Sequence, residues 1–65
     1  MQNLDVRLTV AEYKVTYRAI AKKLGITPEH LSHLMGDELT TRNRDRIYQA
    51  IEQIVDERER GKHDV

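Results

Sequence analysis

Apolar residues recur at intervals of three and four along most of the chain, which is the spacing of one face of an α-helix. Three segments after residue 15 have this pattern, and each follows a Thr, a residue that often caps the start of a helix. The pattern predicts helices that begin after Thr16, after Thr27 and after Thr40 or Thr41. The predicted buried residues of these segments are Ile20, Ala21 and Leu24; Leu31, Leu34 and Met35; and Ile47, Ala50, Ile51 and Ile54.

The N-terminal segment "NLDVRLTVAEYKV" fits two periodicities. Its apolar residues alternate over positions 4–10 as in a strand, and they also contain a helical stripe formed by Leu4, Leu8, Ala11 and Val15. We favour a helix capped by Asn3, because good helix formers continue the pattern and no turn residue interrupts it; a strand is the alternative. In a helix, Val6 and Val10 lie roughly opposite the stripe, so one apolar face is available for the core and the other for a dimer.

These elements predict an all-α fold, a compact bundle of four to five helices. Residues 1–60 would form a single domain, with residues 61–65 as a frayed tail. A chain of 65 residues has a small core, so we expect a second copy to add stability. The absence of Cys excludes disulfides and thiolate metal sites, and no apolar run is long enough for a membrane span, so we expect a cytoplasmic location.

The second and third predicted helices are joined in a way that favours a helix-turn-helix. Ala21 is small where the two helices would approach each other, and Gly25 can adopt positive φ in the turn. Ile26 would fill the corner, and Pro28 suits the first position of the third helix, where its missing N–H has no helical partner to lose. Because several residues fit the motif together, they are stronger evidence for a helix-turn-helix than a single glycine would be.

The stretch "TYRAIAKKLGITPEHLSHLMG" resembles the helix-turn-helix of the lambda-repressor and Cro-like regulators of phages and bacteria. With the preceding and following helices, the resemblance covers about residues 4–55. It implies a transcriptional regulator, from a phage or other mobile element, that binds a palindromic operator as a homodimer. The stretch "LTTRNRDRIYQAIEQI" also resembles LacI-type regulators, but those begin directly with the motif and carry a large effector domain, so the Cro-like resemblance is favoured.

The family pattern implies that the third helix enters the major groove of double-stranded operator DNA. Glu29 would accept a hydrogen bond from a cytosine amino group, His30 and His33 would donate to guanine, and Ser32 could do either. Pro28 would contact a thymine methyl group. The residues expected to face the bases are Pro28, Glu29, His30, Ser32 and His33.

The reading helix has no Lys or Arg, so the phosphate contacts must come from elsewhere. Eleven basic and eleven acidic residues balance over the whole chain, but the segment from Lys14 to Arg46 has seven basic against four acidic residues. Starts of helices also favour anions. The residues expected to contact phosphates are Tyr17, Arg18, Thr27, Arg42, Asn43 and Arg44.

Two other classes of function compete with DNA binding. An enzyme or metalloprotein is disfavoured, because the sequence offers no nucleophile with its base and no cofactor motif, and His30, His33 and Glu29 lack further ligands for a metal. The stronger rival is a protein-interaction module, such as an antirepressor that docks on a regulator, because the net charge is zero and the reading helix is acidic. The expected dimer contacts come from Tyr48, Val55, Val6 and Val10.

Overall fold

Four α-helices make up the regular structure in the computed structural model, which describes residues 3–63. They are α1 (Leu4–Tyr13), α2 (Tyr17–Leu24), α3 (Pro28–Met35) and α4 (Thr41–His63). No strand occurs between residues 3 and 63. The prediction of an all-α fold is therefore confirmed, and for the N-terminal segment the helix is confirmed and the strand alternative is wrong.

Thr residues cap the starts of α2, α3 and α4, as the sequence predicts. The hydroxyl oxygens of Thr16, Thr27 and Thr40 each accept a hydrogen bond from the backbone N–H three residues later, at 3.1, 3.1 and 3.2 Å. Of the two candidates for α4, Thr40 is thus the cap. Asn3 precedes α1, but its side chain does not cap that helix, which corrects the prediction.

The ends of α1 and α2 have the same backbone geometry. α2 ends at Gly25 with φ 74°, and the following N–H donates to the carbonyl of Ala21 at 3.0 Å. α1 ends at Lys14 with φ 55°, and the following N–H donates to the carbonyl of Val10 at 3.2 Å. Both are Schellman turns, in which a left-handed residue reverses the chain. The positive φ predicted for Gly25 is confirmed, whereas Lys14 adopts the same conformation without the freedom of glycine.

The core lies where α4 crosses the other helices. α4 contacts α1 and α2, and α2 contacts α3. Most of the predicted apolar positions are buried, with Leu24 and Leu34 half-buried beside them. Leu39, in a connection that the sequence suggests is only an acidic turn, is also buried. The buried apolar residues are Val6, Val15, Ile20, Ala21, Leu31, Met35, Leu39, Ile47, Ala50, Ile51 and Ile54.

The orientation of α1 differs from the prediction. Val6 is completely buried and Val10 packs against the core, while Leu4 and Leu8 are 52% and 60% exposed. The expected core stripe therefore faces outward, and Val6 is not available for a second subunit.

Polar contacts on both sides of Val6 explain this rotation. One neighbour, Arg7, donates to the carbonyl of Met35 at the end of α3, at 3.1 Å. The other neighbour, Asp5, forms an ion pair with Arg44 of α4. At about 100° per residue, these two contacts leave Val6 between them, pointing into the core.

α4 is longer than the predicted domain boundary allows. It continues through residues 61–63, which the sequence analysis placed in a frayed tail, while residues 64 and 65 of that tail lie outside the described part of the chain. The Arg58 guanidinium of α4 donates to the carbonyls of Tyr13 and Lys14, at 2.6 and 2.8 Å, and so satisfies the end of α1. None of the helices between residues 3 and 63 has the length and apolarity needed to cross a bilayer.

Asn3 connects the start of α1 to the end of α3. Its amide nitrogen donates to the carbonyls of Met35 and Asp37, at 3.1 and 2.7 Å, and its amide oxygen accepts from the N–H of Leu39 at 3.0 Å. The residue is only 7% exposed. Three backbone groups at the end of α3 and beyond it are thereby satisfied by one side chain, which fixes the connection between α3 and α4.

We expect Asn3→Gly to lower the free energy of unfolding by about 2–3 kcal/mol, because partly buried backbone groups lose their partners. Glycine adopts the φ of 58° at this position without strain, so the change reports the side-chain contacts. Urea denaturation measures the loss, with Gln49→Ala, an exposed amide of α4, as the control. A loss below about 0.5 kcal/mol would contradict this role for Asn3.

We expect Lys14→Gly to raise the free energy of unfolding by about 1 kcal/mol, because glycine removes the steric cost of φ 55°. Gly25→Ala should lower it by a similar amount, since open space around Gly25 leaves its φ of 74° as the main source of strain. Thermal and urea unfolding of both variants check the pair. Effects of the same sign would show that the two turns do not share one geometry in solution.

Candidate nucleic-acid interface

α3 has one buried and one exposed face. Leu31 and Met35 are buried, and Glu29, His30, Ser32 and His33 are exposed, with Pro28 half-buried at the start of the helix. At about 100° per residue, Glu29 and His33 lie at the centre of the exposed face, opposite the core. His30 lies at one edge of that face and Ser32 at the other. The five predicted base-facing residues thus share one helix, with a carboxylate and an imidazole at the middle.

Both ends of α3 are held in place. Thr27 caps the start through the N–H of His30, and the carbonyl of Met35 at the end accepts from the side chains of Asn3 and Arg7. These contacts come from the turn before α3 and from α1, so they leave the exposed face free. A helix held in this way presents its side chains in a defined orientation, as specific recognition requires.

A small cavity of about 120 Å³ shows what lies beside the His30 edge of α3. Its walls include His30 and Leu34 of α3 together with Asn43 and Arg46 of α4. The first turns of α4 therefore lie across this cavity from α3. Asn43, predicted to contact phosphate, is half-buried here, and Arg46 is exposed.

Arg42 and Arg44, which the sequence suggests act together, lie on different sides of α4. They are two residues apart, about 200° around the helix. Arg44 points toward α1 and is paired with Asp5, which also accepts a hydrogen bond from the Tyr48 hydroxyl at 3.2 Å. Arg42 is exposed and forms no ion pair with any residue of the described part of the chain.

Arg46 was not among the residues predicted to contact phosphates. Arg42 and Arg46 are four residues apart, a spacing that places two side chains on the same face of a helix. That spacing is visible in the sequence. It distinguishes Arg42 and Arg46 from Arg44 only once the orientation of α4 in the fold is known.

Arg7 links the start of α2 to the C-terminal end of α3. Arg7 of α1 donates to the hydroxyl of Tyr17 at 3.3 Å and also to the carbonyl of Met35. Tyr17, predicted to contact phosphate, is thus half-buried and engaged, whereas the adjacent Arg18 is exposed. Arg46 is therefore an exposed cation beside the His30 edge of α3, and Arg18 is an exposed cation at the start of α2.

Comparison of the chain with protein-family models, with curated proteins and with solved structures finds no match. Within residues 3–63, no group of three or more His, Cys, Asp or Glu side chains could hold a metal ion together. The case for a function therefore rests on the geometry of α3 and its neighbours.

The ion pair between Arg44 and Asp5 predicts a pH dependence. The Arg44 guanidinium, which donates to the carboxylate, holds the pKa of Asp5 below its ordinary value, and the Tyr48 hydroxyl acts in the same direction. A lowered folded-state pKa means that this stabilisation is fully present above the unfolded pKa of about 3.9 and is lost as the pH falls through the folded value. We expect Arg44→Ala to raise the midpoint of Asp5 in an NMR titration, and Arg42→Ala to leave it unchanged. An unchanged midpoint in Arg44→Ala would show that the pair is absent in solution.

Proposed function

We propose that this protein is a sequence-specific DNA-binding transcriptional regulator of the Cro-like type. In this proposal α2, the turn at residues 25–27 and α3 form a helix-turn-helix, and α3 enters the major groove of an operator. The support is that α3 is short, fixed at both ends and exposed along one polar face. No acid–base or nucleophilic chemistry is part of the proposal.

The observation that carries the proposal is the placement of arginines at helix starts. α1 and α3 have an acidic residue in the first turn, as the helix dipole favours, but α2 and α4 have none. Their first turns instead contain Arg18, Arg42 and Arg44. A cation at a helix start is unfavourable, whereas a phosphate bound there gains from both the arginine and the N–H groups that Thr16 and Thr40 leave uncapped. This arrangement is unfavourable for an isolated fold and favourable for binding an anionic backbone.

Base recognition would fall to the exposed face of α3. Glu29 at its centre would accept from a cytosine amino group, and His33 beside it would donate to guanine. His30 and Ser32 would reach bases from the two edges, and Pro28 would make an apolar contact at the start of the helix. A reading face without cations fits DNA binding, because phosphate contacts supply much of the affinity and base contacts supply the specificity.

Phosphate binding would fall mainly to the exposed arginines. Arg18 would contact one strand of the backbone, and Arg42 with Arg46 the other. Arg44 would contribute less than its position in the sequence suggests, because Asp5 already neutralises it. Thr27, Asn43 and Tyr17 could add neutral hydrogen bonds from their places beside the helix starts.

The proposal includes a homodimer, because a two-fold pair of reading helices suits a palindromic operator. The outward stripe of α1, formed by Leu4, Leu8 and Ala11, offers an apolar contact that Val6 cannot provide. Tyr48 and Val55 are half-buried against the core and are secondary candidates.

The alternative function is a protein-interaction module, such as a regulator antagonist, that uses α3 to dock on another protein. The acidic Glu29 at the centre of the exposed face favours this alternative, because its negative charge would be repelled by the phosphates of DNA. The two functions make different demands on Arg42, which matters for DNA and is peripheral to a contact centred on Glu29.

Selection from random duplex DNA at about 50 and 200 mM salt tests the proposal. We expect enrichment of a two-fold symmetric sequence, and an affinity that falls steeply with salt. Arg42→Ala should weaken binding to all sequences and reduce the slope of log K against log salt by about one. Glu29→Ala should instead change the preferred base at one position of each half-site.

Arg60→Ala is the matched control, because Arg60 is exposed near the far end of α4 and pairs only with Asp56 among the described residues. It removes the same charge and should leave the salt slope unchanged. An enriched single half-site would contradict the dimer. No enriched sequence from folded protein would contradict DNA recognition and leave the interaction module as the better account.

A further inference from the structure

A groove between α1 and α4 lies apart from the exposed face of α3. It encloses about 550 Å³, a volume typical of ligand-binding pockets. Its floor is apolar and aromatic, formed by Tyr13, Tyr48, Ile51 and Val55. Tyr13 is 46% exposed, which is unusual for an aromatic residue of a chain that has only three. The proposed DNA contacts use none of these residues.

Carboxylates surround this floor: Glu12, Glu52, Asp56 and Glu59. Asp56 pairs with Arg60 at 3.0 Å, while the other three form no ion pair or hydrogen bond with the side chains of residues 3–61. The nearby Arg58 cation is directed to the carbonyls of Tyr13 and Lys14. Three carboxylates thus line an apolar surface and have no paired cation among residues 3–61.

We propose that this groove binds a basic amphipathic helical segment of another protein. Charge complementarity identifies the occupant: apolar side chains would cover the tyrosines, and Lys or Arg on either side would meet the carboxylates. The length of the rim decides between a peptide and a small cation. Residues 52, 56 and 59 lie on one side of α4 and span about 10 Å along its axis, two turns of helix. A ligand must therefore present cations at several points, as a helix with a basic residue in each turn does.

A second copy of this chain is a poorer occupant. A two-fold dimer through the groove would place the same carboxylates opposite each other, because such an interface is self-complementary. The outward stripe of α1, which carries the proposed homodimer, lies on the opposite side of that helix from Tyr13. Leu4 and Leu8 are not part of the groove, so substitutions there test the dimer separately from the groove, which includes the secondary dimer candidates Tyr48 and Val55.

Selection of random 16-residue peptides displayed against the whole protein tests the proposal. We expect the enriched peptides to carry net positive charge, with apolar residues three and four apart. A synthetic copy of the leading peptide should shift the NMR signals of Tyr13, Tyr48 and Val55, and its affinity should fall as salt is raised. The double variant Glu52→Lys/Glu59→Lys, in which both sites are exposed, should bind that peptide at least tenfold more weakly.

Asp37→Lys/Glu38→Lys is the control, because it also replaces two exposed acidic residues by Lys, in a turn outside the groove. It should leave the affinity for the peptide within twofold. Circular dichroism of each variant measures its helix content, so that a loss of binding can be distinguished from unfolding. Failure to enrich any peptide, enrichment of neutral or acidic peptides, or shifts confined to α3 would overturn the proposal. Signals of the groove that change with protein concentration alone would also overturn it, in favour of a second copy.

Discussion

The position of α3 depends on one buried side-chain amide, that of Asn3. A helix of eight residues cannot hold itself in place, and its last carbonyls need partners wherever water is excluded. Asn3 supplies these partners from the start of α1 and also fixes the N–H of Leu39, which carries that leucine into the core. Arg7 adds a second contact to the same carbonyl of Met35. The exposed face of α3 is therefore oriented by polar contacts on the opposite side, none of which uses a residue that could face a ligand.

The rotation of α4 separates two surfaces of opposite charge. One side of the helix carries Arg46 beside the cavity next to α3, with Arg42 one turn before it, and the other side carries Glu52 and Glu59 along the groove with α1. Arg44 lies on the second side, where Asp5 neutralises it. A chain with zero net charge can therefore present a basic surface and an acidic one. In such a chain the net charge does not predict the kind of partner. The position of each charge around its helix is the better guide.

Features that depend on neighbouring residues could be predicted from the sequence. Features that depend on residues distant in the chain could not. Thr16, Thr27 and Gly25 act within a few residues, so their caps and turn were predictable from local rules. α1 has two apolar faces of similar size, and only contacts to α3 and α4 decide which is buried. Asn3 bonds to groups more than thirty residues away, and Arg44 pairs with a residue 39 positions earlier, so neither partner has a signal in the local pattern. The exposure of Glu29, His30, Ser32 and His33 followed from helical periodicity, whereas Pro28, expected on the same face, is half-buried. The sides of α4 on which its arginines lie depend on distant contacts.

The two proposed surfaces lie on one small domain, which raises the question of whether binding at one affects the other. A basic segment in the groove would make the complex positive and so attract DNA, and linkage would make the effect reciprocal. The nearest charges of the two surfaces, Arg46 and Glu52, are six residues apart on α4, about 9 Å along its axis, which exceeds the Debye length of about 8 Å at physiological salt. Charges separated by that distance across exposed surface are largely screened, so the direct electrostatic coupling should be small in the cell and appear only at low ionic strength. A stronger coupling would need a movement of α1, because α1 forms one wall of the groove and also holds the end of α3 through Asn3 and Arg7.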